Sequence, residues 1–287
     1  MSLLRQFHFP KFLLFGLIAA AVAGLACADG AAAADAVKIG GTGGALGDMS
    51  RLADAYMRTH PDTRIVVVPR SLGGDGGIKA LRAGAIDIAL VIEPLSPDQS
   101  AAGLTAIPYA KSALVFATRQ DTPFDGVTTD WVIDVYRGAV TSWPDGKPIR
   151  LVLRPAHDSD MKILYAHSDA MKKAMEAALA RPGLLIVDTA QAAARKLEQL
   201  EGSLGSTTFA QIQSEQTPLK LLTFDGVAPT AQMVAAGRYP LVKFFYHVTR
   251  ADASAATRDF TAFLGSEEAA AILQKTGNVR IAAAPRG

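Results

Sequence analysis

One unit recurs three times along this chain: a short strand of aliphatic residues, a loop of glycines or small polar residues, and the opening of a helix. The first runs from Val37-Lys38-Ile39 into Gly40-Gly41-Thr42-Gly43-Gly44-Ala45-Leu46-Gly47. The second runs from Ile65-Val66-Val67-Val68 through Pro69-Arg70-Ser71-Leu72-Gly73-Gly74-Asp75-Gly76-Gly77 to Ile78. The third is Arg150-Leu151-Val152-Leu153-Arg154, then Pro155-Ala156-His157-Asp158-Ser159-Asp160. Strands alternating with helical patterns argue for an α/β architecture with mixed, mostly parallel sheets flanked by helices. Each unit also presents the first amides of a helix, which lack intrahelical partners and favour an anion.

The first loop misses both nucleotide signatures. Read from Gly41, a dinucleotide fingerprint needs its third glycine at Leu46, and read from Gly43, a P-loop needs a glycine at Asp48. In the second loop Ser71 offers a hydroxyl, and the amides of Gly74, Asp75, Gly76 and Gly77 can form a nest for an oxyanion. Asp75 repels such an anion unless one of the two is protonated, or else it caps the helix. In the third, Arg154 supplies a fork of donors and Ser159 a hydroxyl, while Asp158 or Asp160 caps the helix. Alternatively Arg154 does no more than pair with Asp158 or Asp160. A fourth, weaker unit ends at Asp188-Thr189 and reads as a structural N-cap.

Further strands are expected at Ile86 to Ile92, Leu114 to Thr118, Leu184 to Val187 and Phe244 to Val248. Helices are expected over Gly47 to His60, Gly76 to Ala83, Thr129 to Tyr136, Ser159 to Ala166, Gln191 to Leu200, Ala256 to Leu264 and Glu267 to Thr276. Met49, Leu52, Ala53, Tyr56 and Met57 fall on one core-facing helical side. Trp131, Trp143, Tyr109 and Tyr136 are read as core rather than as stacking platforms for a ligand.

Lys and Arg number 29 against 27 Asp and Glu, a net charge of +2 in 287 residues. That balance excludes a nucleic-acid footprint and a polybasic membrane patch. One cysteine, Cys27, excludes an intramolecular disulfide and a cysteine-based zinc cage. The five histidines show no metal-ligand spacing and no Gly-x-Ser-x-Gly elbow occurs, so no cofactor, metal or catalytic residue is nominated. At the N-terminus, Arg5 and Lys11 precede an apolar run of about 14 residues, Phe12 to Leu25, and then small residues to Ala36. The run is shorter than the roughly 20 residues of a spanning helix and reads as a secretory signal, removed after Ala28 or within Ala31 to Ala36. The expected destination is the periplasm or the extracellular space. A lipid anchor at Cys27 is disfavoured because Gly24 stands where such sites carry Leu.

At Gly73-Gly74-Asp75-Gly76-Gly77-Ile78-Lys79, Gly84-Ala85-Ile86-Asp87-Ile88-Ala89 and Val135-Tyr136-Arg137-Gly138-Ala139-Val140-Thr141-Ser142-Trp143-Pro144-Asp145-Gly146, leading into Arg154, the chain resembles the periplasmic phosphate-binding proteins of ABC importers. Tyr239-Pro240-Leu241 and the stretch from Phe263-Leu264 to Gly277 are similar too. The resemblance implies the two-lobed type 2 periplasmic-binding-protein fold with two crossover strands, near Leu114 to Ala117 and Lys243 to Tyr246. After the 1–36 leader, lobe one spans 37–114 plus 246–287 and lobe two 115–245. It also implies a monomer that captures phosphate or a related oxyanion between the lobes, without chemistry, and presents it to the membrane permease subunits. The implied ligand contacts are Thr42, Gly44, Ala45, Ser71, Gly74, Asp75, Gly76, Gly77, Glu93, Arg154, Asp158, Ser159 and Asp160.

Several of these depart from the family's pattern. Gly43, Gly44 and Ala45 stand where it has hydroxyl residues, and Asp75 where it has Ser or Gly. The ligand-facing Asp falls at Ile92, with Glu93 one place late, and Asp158-Ser159-Asp160 replaces a Ser-Gly-Thr triplet. If Asp75, Glu93, Asp158 and Asp160 all faced the cleft, four carboxylates would oppose one Arg. The alternatives are therefore a cationic or polar organic ligand, a sensor or scaffold role, or an exported phosphate-ester hydrolase.

Overall fold

The aliphatic runs pair side by side because their buried side chains on both faces exclude water from the ladder. In the computed structural model, which describes residues 36–281, Val37–Gly41 lies between Ile65–Val67 and Ile88–Val91 and parallel to both. In the second half of the chain, Arg150–Leu153 lies between Ser203–Thr208 and Leu185–Ile186, again in parallel. The expected signal segment and the candidate anchor Cys27 lie outside the described residues. No helix among those residues is long and apolar enough to cross a membrane.

Two long strands join the parallel groups into one mixed sheet. Leu104–Arg119 and Val242–Arg250 run antiparallel, from the Leu104/Arg250 pair to the Ala113/Val242 pair. Val242–Arg250 also pairs with Ile88–Val91, and from Leu114 onward the 16-residue strand Leu104–Arg119 pairs with Ser203–Thr208. A single strand therefore serves one group through Ala113 and the other from Leu114. The sequence places this strand only at Leu114 to Thr118, because Thr105, Pro108, Lys111 and Ser112 interrupt the apolar run. Pro108 has no N–H to give, and a bulge opposite Phe245/Tyr246 accommodates it with Tyr109 as the extra residue.

Each group carries its own core. Ile39, Met49, Leu52, Tyr56, Phe245 and Phe260 pack in the first, with Met57 half-buried at its edge. Phe116, Tyr136, Trp143, Phe224 and Tyr239 pack in the second, with Trp131 against them. Gly41 ends the first strand at φ +141, where a Cβ would lie 2.2 Å from the Leu90 carbonyl oxygen. Glycine there lets the chain turn off the sheet edge while the Thr42 N–H still donates to that oxygen at 2.9 Å.

The helix Leu46–Thr59 is tied to the C-terminal segment by buried Asp48, which accepts from Asn278 Nδ2 at 2.9 Å. Burial outweighs the hydrogen bonds from Thr276 and Asn278 and pushes the Asp48 carboxyl up to about 7. In the unfolded chain it titrates near 3.9. Between those values the native state holds the extra proton, so this group's contribution to stability falls as pH rises from about 4 to about 7. Asp48→Asn keeps the shape and removes the charge. Melting temperatures at pH 5 and pH 8 should therefore lie closer together in the variant than in the wild type, and an unchanged difference would show that Asp48 is not the titrating group.

Candidate functional site

Four helix openings border one cleft of about 510 Å³. Thr42–Gly44 precedes the helix Leu46–Thr59, and Ser71–Gly76 includes the start of Gly73–Arg82. Asp158–Asp160 opens Ser159–His167, and Asp188–Ala190 opens Ala190–Gln199. The four follow the carboxyl ends of Val37–Gly41, Ile65–Val67, Arg150–Leu153 and Leu185–Ile186, which is where ligands gather on open α/β sheets. Helix starts gathered in this way present free N–H groups and the positive ends of peptide dipoles to one space.

The glycine run of the second unit is helical rather than looped, since its helix begins at Gly73 and not at Gly76. The Leu72 N–H donates to Gly41 O at 3.0 Å, and the Gly73 N–H to Ser71 Oγ at 3.2 Å. The Ser71 hydroxyl in turn donates to Gly41 O at 3.2 Å, so it is engaged in bracing two loops. Helix geometry leaves the following amides, at Gly74 and Asp75, without intrahelical acceptors. Asp75 does not cap: the N-cap position is Leu72, no side chain bonds there, and Asp75 is an exposed first-turn residue on the favourable end of the dipole. Gly77 turns toward the first strand, where a Cβ would lie 3.0 Å from Gly41 Cα. Neither Gly77 nor buried Ala45 borders the cleft, so the expected nest is shorter than Gly74 to Gly77.

In the third unit Asp158 is the N-cap, accepting from the Asp160 N–H at 2.9 Å, and it also pairs with Arg154 at 2.5 Å. Arg154 is buried, and its Nη1 donates to Val187 O at 2.8 Å. Its Nε is buried without a hydrogen-bond partner. Asp160 is buried against Lys243, with Ser206 Oγ at 3.4 Å. Burial pushes the Asp160 carboxyl up, but the charges of Lys243 and Arg154 and the hydrogen bonds from Lys243 and Ser206 outweigh it and hold it below the usual range. Lys243 Nζ also donates to Thr208 Oγ1 at 3.0 Å. Ser159 borders the cleft as the first residue of its helix.

Thr189 caps the fourth helix, accepting from the Ala192 N–H at 3.2 Å, as the sequence suggests. The unit is nonetheless more than structural, because Asp188, Thr189 and Ala190 line the same cleft. Across its mouth Lys162 pairs with Glu93 at 3.1 Å, and Gln191 Nε2 donates to Gly43 O at 3.0 Å.

The charge balance differs from the expected four carboxylates against one Arg. Asp75, Glu93, Asp158, Asp160 and Asp188 line the cleft, but so do Arg70, Arg154, Lys162 and Lys243. Glu93, Asp158 and Asp160 are each paired to a cation. Sequence reasoning nominated none of Arg70, Lys162 and Lys243, of which Lys243 alone is buried. A lone Lys between Val242 and Phe244, in a strand that passes between two cores, is the signal that would have found it.

The PBP superfamily domain matches residues 27–268 of this chain. The phosphate-binding protein PstS of Bacillus subtilis (strain 168) is 24% identical over 221 residues, which span 75% of this chain and 70% of that protein. Among solved structures, a putative phosphate ABC transporter substrate-binding protein with bound phosphate from Clostridium perfringens aligns with a TM-score of 0.72 at 22% identity. That alignment covers 86% of this chain and 100% of the other. The phosphate-bound periplasmic protein PfluDING aligns at 0.66 and 14% identity, over 86% and 91% of the two chains. At these identities the structural likeness speaks for the fold. With two parallel strand groups joined by long antiparallel strands, helix openings converging between them, and the domain matched over most of its length, the chain belongs to the PBP superfamily.

Proposed function

We propose that this protein is an exported solute-binding protein that captures phosphate or a related oxyanion for an ABC importer. The observation that carries the reading is the convergence of four helix openings on one cleft that also holds buried Arg154 and Lys243. The phosphate-binding names of PstS and of the structurally similar proteins support the same ligand. Asp158 and Asp160 do not oppose it, because each is neutralised by a cation and Asp158 also caps a helix. An entering oxyanion meets the free helix amides and the donors of Arg154 and Lys243, re-sharing those donors with their carboxylates. The lobes, 37–114 plus 246–287 and 115–245, close over it by hinge motion, and the permease reads the closed monomer. No bond is made or broken.

A thermal-shift screen of ligand-stripped mature protein against phosphate, sulfate, molybdate, amino acids and polyamines tests the reading. At 100 times its dissociation constant a ligand stabilises the fold by about 2.7 kcal/mol, which at roughly 2–4 °C per kcal/mol is a rise of about 5–10 °C. Phosphate should give that rise. A rise with polyamines or amino acids and none with any oxyanion would mean that the carboxylates have re-specified the cleft.

A further inference from the structure

We infer that the cleft prefers a phosphoryl group carrying an organic substituent, a phosphomonoester or an organophosphonate, over bare inorganic phosphate; this rests on the oxyanion reading above. A bare tetrahedral oxyanion has five heavy atoms. Even at the ~30 Å³ that a water molecule occupies in the liquid, it would fill no more than about 150 Å³. The cleft measures about 510 Å³.

The cleft also has an apolar side, unlike the helix openings that border it. Leu72, Ile78, Val91, Ile92, Pro94 and Leu95 line it from two segments of the first strand group. They grade outward, from buried Ile78 and Val91 through half-buried Ile92 and Leu95 to exposed Leu72 and Pro94. Leu72, at 38% exposure, is among the few large apolar side chains left exposed among the described residues. It directly precedes the helix start whose amides at Gly74 and Asp75 are free. A phosphoryl group on those amides thus has an apolar wall beside it, and covering that wall removes apolar surface from water. Inorganic phosphate offers nothing that could cover it. A ligand joining a phosphoryl head to a short hydrocarbon or mixed substituent uses both parts of the cleft.

Calorimetric titration of ligand-stripped protein with inorganic phosphate, methylphosphonate, n-propylphosphonate and n-butylphosphonate at one pH separates the two levels of the claim. Affinity should rise along the alkyl series, with n-butylphosphonate at least about tenfold tighter than methylphosphonate and tighter than inorganic phosphate. If inorganic phosphate or methylphosphonate binds as tightly as the butyl compound, the preference for an organic substituent is overturned and the oxyanion reading stands. If none of the four binds, the oxyanion reading itself falls.

Discussion

Replacing Arg154 with Lys should weaken phosphate binding by about tenfold to a hundredfold while leaving the unliganded fold nearly as stable. The charge beside Asp158 is kept, so the carboxylate at 2.5 Å is not stranded, and its capping bond to the Asp160 N–H is untouched. What is lost is the rigid fork: Arg154 holds Nη1 on Val187 O and Nη2 on Asp158, and its Nε is buried without a partner. A lysine ammonium is a flexible point charge that cannot hold three such positions. A hydrogen bond to a charged group contributes about 1.5–3 kcal/mol, which sets the range. Calorimetry on the variant checks it. An unchanged affinity would show that Arg154 only braces Asp158.

The second large effect concerns Lys243. Lys243→Met leaves Asp160 as a buried carboxylate without its main partner, and breaking such a pair from one side costs about 3–5 kcal/mol. For a chain of this size that is a fall of roughly 10 °C in melting temperature. The double variant Lys243→Met/Asp160→Asn should recover most of the fall, because it removes both buried charges together. The same pair gives the wild type a pH signature. Lys243 and Arg154 hold Asp160 below its ordinary range, so the stabilisation is fully present above about pH 4, where the unfolded carboxyl ionises. It is lost as pH falls through the depressed native value. The double variant should lack that acid-side loss, and a single variant as stable as the wild type would contradict the pairing.

Much of the architecture was legible because its signals are local. Arg150 to Leu153 is a strand over the residues expected, and the helices over Thr129–Arg137 and Glu267–Lys275 lie within a residue of their expected ends. The strand Ser203–Thr208 was not legible, since Ser203, Gly205, Ser206, Thr207 and Thr208 have no apolar periodicity. It is a strand because Leu104–Arg119 and Arg150–Leu153 enclose it on both sides and bury every residue. The helix Asp169–Ala180, by contrast, carries a readable pattern, with Met171, Ala174, Met175 and Ala178 on its buried side.

The site was legible to the extent that backbone makes it. Loops that end in a strand and open a helix announce themselves through glycine and capping residues, and all four units found in this way border the cleft. The partners of the side chains were not legible, because they are set by long-range contacts. Lys243 reaches Asp160 across 83 positions of sequence, and Lys162 reaches Glu93 across 69. Without those pairs the acids looked like an excess of negative charge. With them, the buried part of the cleft is balanced before any ligand arrives.

The most direct test of the central claim, that this cleft binds a phosphoryl oxyanion, is calorimetric titration of inorganic phosphate into ligand-stripped mature protein near pH 7.5. Saturable heat at one phosphate per chain is expected in the wild type. No heat with millimolar phosphate and none with n-butylphosphonate, from protein whose melting curve shows it folded, would contradict it.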